Sequence, residues 1–209
     1  MAQLLKPEVR NKIIESSKNE FLKYGYENAS MRHIAKEAGM TVGNLYRYFD
    51  SKESINKEIV TPTLNKINDL VKKITDKKVD LEKSNFSMKF TKDSIKKMLD
   101  ELSENLIDIY QESKDEFNIL LLHSEVNENL VKWFSDLVLY FIDTNYKIIG
   151  FKKEKKLMAR AFAVSIFDGV KELFRDNSLN RNYLKLMVKS FLYAYTEMLD
   201  LDIKKLGVI

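Results

Sequence analysis

A short segment in the N-terminal quarter of the chain carries side chains that can bind a DNA duplex. Arg47 can pair with a phosphate or with the O6 and N7 atoms of guanine, and Asn44 can hydrogen-bond adenine or a phosphate oxygen. Tyr46 suits a phosphate through its hydroxyl, while Thr41 and Val42 can contact a thymine methyl group. Phosphate contacts would set the register of the protein on the duplex, and base contacts would set its sequence preference.

Two short helices joined by a tight turn must position these side chains. Ser30 stands at the N-cap of a helix predicted over Met31–Ala38, and Gly39 provides the positive φ angle that a sharp turn requires. Thr41 caps a second helix, predicted over Val42–Tyr48. Such a pair forms a helix-turn-helix, whose second helix has the size to enter the major groove, about 12 Å wide.

This geometry divides the segment into an inner and an outer face. Ile34 and Ala35 are expected to pack the first short helix against the second, and Leu45 and Phe49 to point into a small core. The outward or flanking candidates are Thr41, Val42, Gly43, Asn44, Tyr46, Arg47 and Tyr48. Both tyrosines could instead be core aromatics, and Arg47 could be a solvated surface charge.

A further phosphate-binding candidate follows the segment. Lys52 lies in the first turn of the next helix, where free backbone N–H groups and the positive end of the helix dipole favour an anion. Asp50 and Glu53 read as a capping box that opens this helix, which we expect to reach about Ile74 with Pro62 inside it.

Apolar residues recur at helical spacing along most of the chain, with only two prolines and six glycines, so the fold is predicted to be all-α. The first helix is expected to run from Pro7 to Gly25, burying Ile13 and Phe21 among others. Residues 75–91 lose the periodicity and are predicted to be a loop or a short irregular helix. The later helices are predicted at about 92–112, after 113 with a Ser113–Glu116 capping box, 128–149, 154–175 and 183–203.

Composition excludes several classes of protein. The 209 residues include no cysteine, which removes disulfides, thiolate nucleophiles and cysteine-ligated metals. No apolar run is long enough to span a membrane and the N-terminus lacks a secretory signal, so a cytoplasmic location is expected. The only histidines, His33 and His123, are far apart, and no P-loop, HExxH or GxSxG motif occurs. We therefore expect neither an enzyme, nor a metal site, nor a cofactor.

The C-terminal part has more large apolar residues than a DNA-binding head could use. Some of them could line an apolar pocket for a small molecule, although most must be ordinary core. The candidates are Met98, Leu102, Phe117, Leu121, His123, Trp133, Leu137 and Tyr140.

The last two helices, about 154–175 and 183–203, are predicted to form the interface of a homodimer. One stripe comprises Ala159, Ala163, Ile166, Gly169, Val170 and Leu173, and the other comprises Leu184, Val188, Phe191, Tyr195 and Met198. Small residues such as Gly169 suit the close approach of helices in a dimeric four-helix bundle. Packing of these stripes within one chain is the alternative.

The N-terminal sequence resembles a known family. The stretch RNKIIESSKNEFLKYGYENASMRHIAKEAGMTVGNLYRYFDSKESINKEIV is similar, nearly end to end, to the DNA-binding domain of the tetracycline-repressor (TetR) family. The resemblance rests on Phe21, Gly25-Tyr26, Ile34-Ala35, Ala38-Gly39, Gly43, Leu45-Tyr46, Tyr48-Phe49 and Ser51-Lys52-Glu53. It covers about the first 60 residues; beyond them only length and helicity match.

The resemblance implies about nine helices in two parts. Residues 1–50 would be a three-helix helix-turn-helix domain, and 51–209 a connecting helix with a ligand-binding and dimerisation domain. Family members are mostly repressors that a small ligand releases from DNA. A twofold dimer would place two recognition helices on one face of the duplex, so a near-palindromic operator is expected. The positions implied to approach DNA are Arg32, Thr41, Val42, Gly43, Asn44, Tyr46, Arg47 and Lys52.

The chain departs from the family pattern at several positions. Asn44 stands where a smaller residue is usual, which puts the operator sequence in doubt. Glu20 replaces a usual apolar residue and Ser16-Ser17 a usual alanine pair, which suggest a looser first helix. A DNA-binding protein without a ligand and an all-helical enzyme are the other two functional hypotheses.

Overall fold

The computed structural model describes residues 6–83, 92–122, 124–145, 152–175 and 178–199, which form helices and turns with no strand among them. The helices of this described part are α1 (Pro7–Asn28), α2 (Met31–Glu37), α3 (Val42–Leu45), α4 (Lys52–Lys83), α5 (Lys92–Glu112), α6 (Lys114–Leu121), α7 (Ser124–Asn145), α8 (Lys152–Arg175) and α9 (Arg181–Leu199). The all-α prediction is confirmed.

Two of the N-terminal helices differ in length from the prediction. α1 continues to Asn28, but Gly25 has φ +76° and breaks the helical geometry where the helix was expected to end. α3 ends at Leu45 rather than Tyr48, because the amides of Arg47 and Tyr48 bond to carbonyls three residues back, as in a 3₁₀ turn.

The start of α4 corrects a predicted cap. Ser51 and Ser54 form the reciprocal pair: the Ser54 amide donates to the Ser51 Oγ at 3.1 Å, and the Ser51 amide donates to the Ser54 Oγ at 3.2 Å. The predicted Asp50–Glu53 box is therefore wrong by one residue. At the start of α6, Ser113 occupies the N-cap but its hydroxyl makes no capping hydrogen bond, so that box is also wrong.

The far end of α4 corrects the predicted loop. Residues 75–83 belong to the helix, and 84–91 lie outside the described residues. Residues 75–83 are polar and lack the apolar periodicity of the earlier part of the helix. They nevertheless consist mainly of lysine, aspartate, leucine and glutamate, without glycine or proline. These residues offer nothing that would end a helix already under way.

The chain divides into two compact units. The first comprises Met1–Asn68 and Glu112–Ser124, and the second comprises Asp69–Gln111 and Glu125–Ile209. This division groups the first half of α4 and all of α6 with the N-terminal helices, and the domain boundary inferred at residue 50 stays a prediction.

In the first unit, α1 packs against both α2 and α6. The fully buried side chains include Ile13, Phe21, Ile34, Leu45, Ile55 and Phe117. Lys18 of α1 and Glu116 of α6 form an ion pair of 2.6 Å. Burial is the largest single cause and would lower the pKa of Lys18 and raise that of Glu116. Their mutual hydrogen bond, the other hydrogen bonds of each group and the attraction of opposite charges together outweigh burial, so the pKa of Lys18 is raised and that of Glu116 is lowered. α6 is thus tied to the N-terminal head.

In the second unit, an acidic face of α5 pairs with a basic face of α9. The pairs are Asp108 with Arg181, Glu104 with Lys185, and Asp100 with Lys189. Each residue lies one helical turn from the next on its helix, so the ladder fixes an antiparallel register. The hydrogen bond from Lys189 is the largest cause that lowers the pKa of Asp100. Exposed pairs of this kind contribute little stability, about 0–1 kcal/mol each, but they specify which faces meet.

The packing of α8 on α9 corrects the predicted dimer stripes. Ala159, Ala163, Ile166, Leu184 and Val188 are all buried within a single chain, with at most 5% of their surface exposed. Ala159 packs with Val138 and Ile142 of α7, and α8 and α9 contact each other within one protomer. Periodicity identified both apolar stripes but could not say which partner they face.

Gly169 belongs to this intramolecular contact. A Cβ atom there would lie 2.0 Å from the Phe191 Cζ atom, so the ring packs directly over the glycine. Phe191 is itself in contact with Tyr195, with ring centroids 5.1 Å apart.

Gly169→Ala is therefore expected to destabilise the second unit by about 1–3 kcal/mol, although alanine is the better helix former. The ring must move against Tyr195 to admit the methyl group. Thermal unfolding followed by circular dichroism checks this result. The double variant Gly169→Ala/Phe191→Leu should recover part of the loss, and a single variant as stable as the parent would contradict the packing.

Candidate nucleic-acid interface

Side-chain caps fix the start of each helix in the helix-turn-helix. The Ser30 Oγ accepts a hydrogen bond from the Arg32 amide, and the Thr41 Oγ1 accepts one from the Asn44 amide, both at 3.2 Å. Gly39 has φ +71° in the turn between α2 and α3. Both predicted caps and the predicted glycine turn are confirmed.

Burial separates the inner from the outer face as expected. Ile34, Ala35, Leu45 and Phe49 are each at most 3% exposed. On the other side, Arg32, Thr41, Gly43, Tyr46 and Arg47 are exposed, whereas Val42, Asn44 and Lys52 are half-buried. The large, half-exposed ring of Tyr46 is unusual for a core aromatic, so the surface interpretation is correct for this residue. Hydroxyl, amide and cationic groups are thus exposed or half-exposed on α3, on its N-cap Thr41 and on the turn that follows it.

Tyr48 belongs to the framework of the head. Its hydroxyl accepts from the Lys6 amide at 3.3 Å, and its carbonyl accepts from the Arg10 Nη1 at 3.2 Å. The Arg10 guanidinium also lies 4.2 Å from the centroid of the Phe49 ring and pairs with Glu58 of α4, with Nε 2.9 Å from Oε1. Arg10 therefore joins α1, the end of the recognition segment and α4.

Glu20 has a different role from the one its residue type suggested. Its side chain is only 4% exposed, and Oε1 accepts from the Ser30 amide at 3.1 Å. The same oxygen lies 3.3 Å from the Nδ1 atom of His33. The Glu20 carboxylate thus holds the N-cap residue of α2, and the expectation of a looser first helix stays a prediction.

Lys52 is directed at the protein itself. Its Nζ atom donates to the carbonyl oxygens of Tyr26, Glu27 and Ala29 at 2.5, 3.1 and 3.1 Å. It also lies 4.6 Å from the centroid of the Tyr26 ring. The phosphate contact of Lys52 inferred from sequence stays a prediction. In the structure, which contains no DNA, the N–H groups of its ammonium point to protein carbonyls.

Neither Arg10, Glu20 nor the role of Lys52 could be found from the sequence. Their partners lie 10 to 48 residues away, and no local pattern links them. Only the departure of Glu20 from the family pattern indicated that this residue is unusual. Its contact with Ser30 could be recognised only in the folded structure.

The candidate ligand residues do not all fall in one unit. Phe117 and Leu121 lie on α6 in the first unit and are buried in it, with 1% and 7% exposed. Leu102 is buried in the second unit, where Met98, Trp133, Leu137 and Tyr140 are half-buried. His123 lies outside the described residues. The pocket assignment stays a prediction.

The described ranges also bear on two other kinds of site. In these ranges, no three histidine, aspartate or glutamate side chains are grouped so that they could hold a metal ion. Over the same ranges, no helix combines the length and the apolar character needed to cross a bilayer.

Comparison with known proteins agrees with the geometry of the head. Residues 13–59 match the family model described as bacterial regulatory proteins, tetR family. The chain is similar to the uncharacterised HTH-type transcriptional regulator YdgC of Bacillus subtilis, with 33% identity over 67 residues, which spans 32% of this chain and about a third (34%) of that relative. It is also similar to IcaR of Staphylococcus aureus, a negative transcriptional regulator of the biofilm operon icaADBC, with 23% identity over 70% of this chain and 87% of the relative.

Solved structures extend the likeness of fold over most of the chain. A TetR-like regulator from Rhodococcus sp. RHA1 aligns over 93% of this chain and 99% of its own, with a TM-score of 0.59 and 12% identity. A TetR-family regulator from Chloroflexus aurantiacus aligns over 94% and 92%, with a TM-score of 0.57 and 16% identity. The helix-turn-helix within residues 13–59 is thus a DNA-binding domain of the tetR family type, in a chain whose fold is similar to that of TetR-like regulators.

Proposed function

We propose that the protein is a homodimeric, cytoplasmic repressor that binds a near-palindromic operator and is released from it by a small, largely apolar ligand. The observation that carries the proposal is α3: Leu45 anchors it in the core, while Tyr46 and Arg47 remain exposed. A capped helix with an apolar inner face and hydrogen-bonding outer groups is suited to reading a major groove.

The proposed DNA contacts divide by chemistry. Arg47 and Asn44 can read base edges, since a guanidinium pairs with guanine and an amide with adenine. Tyr46 and Arg32 would bond to phosphates, and Thr41 would contact a thymine methyl or a phosphate. Val42 and Gly43 complete the surface through apolar contact and close approach of the backbone.

Gly43 offers a sharp test because the protein itself does not require a glycine there. No atom lies within 4 Å of the position a Cβ would occupy, and its φ is not in the left-handed region. A glycine inside a helix costs about 1 kcal/mol relative to alanine. The missing side chain is therefore best explained by close approach of DNA to the backbone.

Gly43→Ala is expected to leave thermal stability unchanged or slightly higher, while it weakens operator binding about tenfold or more. Fluorescence anisotropy with labelled operator measures the affinity. Lys12→Ala, at an exposed position of α1, is the control and should bind like the parent. Equal affinity for the Gly43 variant would show that DNA does not approach this position closely.

The dimer is proposed to form through the outward faces of α8 and α9. These faces carry large apolar side chains that remain exposed in one chain: Leu157, Val164, Tyr183, Leu186 and Met187. Exposed apolar patches of this kind mark protein interfaces, and a twofold axis would join the same patch of two chains. The region predicted from sequence is retained, but on the opposite faces of its helices.

Release by a ligand follows from linkage. A ligand that binds better to a conformation whose two heads do not match successive grooves must weaken DNA binding, and DNA must weaken ligand binding equally. The proposed ligand contacts in the second unit are Met98, Leu102, Trp133, Leu137 and Tyr140, which suit an apolar molecule. For Phe117, Leu121 and His123, ligand contact stays a prediction from the sequence. The single tryptophan, Trp133, provides a fluorescence signal for binding in the second unit.

The experiment is a titration of the protein–operator complex with the small-molecule fraction of a cell extract. Operator release together with a change in Trp133 fluorescence supports ligand control. If DNA remains bound under all fractions and the fluorescence is constant, the protein is a DNA binder without a ligand. Turnover of a substrate would instead favour an enzyme.

A further inference from the structure

The corner between α1 and α2 lacks the charges that its helix ends favour. Within 7–37, which the structure describes in full, α1 has no basic residue in its last turn and α2 no acidic residue in its first turn. A helix C-terminus presents unpaired carbonyls and negative potential, and a helix N-terminus presents unpaired N–H groups and positive potential. A cation and an anion from elsewhere would therefore stabilise this corner.

Lys52 supplies the cation from the first residue of α4. An ammonium group has three N–H donors, and at Lys52 these meet three carbonyls at the end of α1 and in the following loop, those of Tyr26, Glu27 and Ala29. The Tyr26 ring adds a cation–π contact on the same group. A DNA phosphate could bind this ammonium only by displacing one of the carbonyls.

Glu20 supplies the anion from the middle of α1. Its buried carboxylate accepts from the amide of Ser30, the N-cap residue of α2. Ser30 in turn caps the Arg32 amide through its hydroxyl. The corner is thus held on its carbonyl side by Lys52 and on its amide side by Glu20.

We propose that Lys52 is a positioning residue for operator binding, which fixes the α1–α2 corner and through it the helix-turn-helix, rather than a phosphate ligand. This inference rests on the proposed function only for its effect on DNA binding, because the three carbonyl contacts exist without DNA. Without Lys52, the Glu27 and Ala29 carbonyls must turn to water, while the Tyr26 carbonyl keeps its bond from the Ala29 amide. The corner then gains freedom, so α2 and α3 are presented to DNA in more than one orientation.

The test compares Lys52→Met with Lys57→Met, an exposed lysine of the same helix. The Lys52 variant is expected to lower the thermal midpoint by about 4 °C or more and to speed amide hydrogen exchange in residues 26–37, whereas the Lys57 variant does neither. On a mixed-sequence duplex, the slope of log affinity against log salt should be the same for the parent and the Lys52 variant. A phosphate ligand would instead reduce that slope by about 0.9 per head.

If the Lys52→Met variant fails to fold, Lys52→Arg distinguishes a role in positioning the α1–α2 corner from a role in phosphate binding. Arginine keeps the positive charge for a phosphate, but its planar fork cannot direct donors to three convergent carbonyls. Positioning predicts faster exchange in residues 26–37 with an unchanged salt slope. Parent-like exchange in the arginine variant would overturn the proposal, as would a reduced salt slope with unchanged stability in Lys52→Met. A parent that binds no duplex would defeat the proposed function, yet the exchange measurements would still decide the role of Lys52.

Discussion

Leu186→Glu is expected to convert the proposed dimer into a monomer whose operator affinity is about a hundredfold weaker or worse. Leu186 is 61% exposed in a single chain, so glutamate should leave the fold of each protomer intact. Burying one leucine contributes about 1.5–3 kcal/mol, and a twofold interface would lose two of them and bring two carboxylates together.

Light scattering and operator titration measure this result. Leu157→Glu should behave in the same way, since Leu157 is 71% exposed on the neighbouring helix. Gln111→Glu adds the same charge at an exposed position of α5 and should remain dimeric with parental affinity. A dimeric Leu186→Glu variant that still binds the operator would place the interface elsewhere.

Arg47→Ala is expected to weaken operator binding about 30-fold or more, because each of the two heads would lose an arginine contact worth about 1–3 kcal/mol. Arg47 is exposed on the turn that follows α3, so its removal should leave the melting temperature within about 2 °C of the parent.

Selection of bound sequences by the variant tells how Arg47 acts. A base contact predicts relaxed preference at one position of each half-site with little change in the salt slope. A phosphate contact predicts uniform weakening over all sequences and a slope reduced by about 1 per contact. Lys12→Ala is again the control, and parental affinity in Arg47→Ala would remove this residue from the interface.

The helix-turn-helix could be predicted because its signals are local. Ser30, Gly39 and Thr41 act within four residues of themselves, as N-caps or through a positive φ, and each does in the structure what its residue type predicts. The alternation of Leu45 and Phe49 with polar residues likewise fixed the inner face. Residue types that act on their own backbone are informative in any fold.

The remaining features depend on contacts between distant residues. The Lys52 ammonium and its carbonyl acceptors are 23 to 26 residues apart, and Arg10 and Glu58 are 48 apart. For α8 and α9, both the buried and the exposed faces carry apolar residues, so periodicity could not tell the intramolecular face from the outer one. The predicted stripe with Ala163 and the predicted stripe with Val188 both lie on buried faces of a single chain, in which α8 and α9 pack against each other.

The most direct test of the central claim is selection of DNA fragments by the purified protein, repeated over a range of salt concentrations. We predict enrichment of a near-palindrome whose half-sites are centred one helical turn or a multiple of it apart, about 34–36 Å per turn. For about 6–10 phosphate contacts, affinity should fall roughly 10³–10⁵-fold between about 50 and 200 mM salt. Enrichment of no sequence, or of a single unpaired half-site bound by one protomer, would contradict a dimer that presents two α3 helices to DNA.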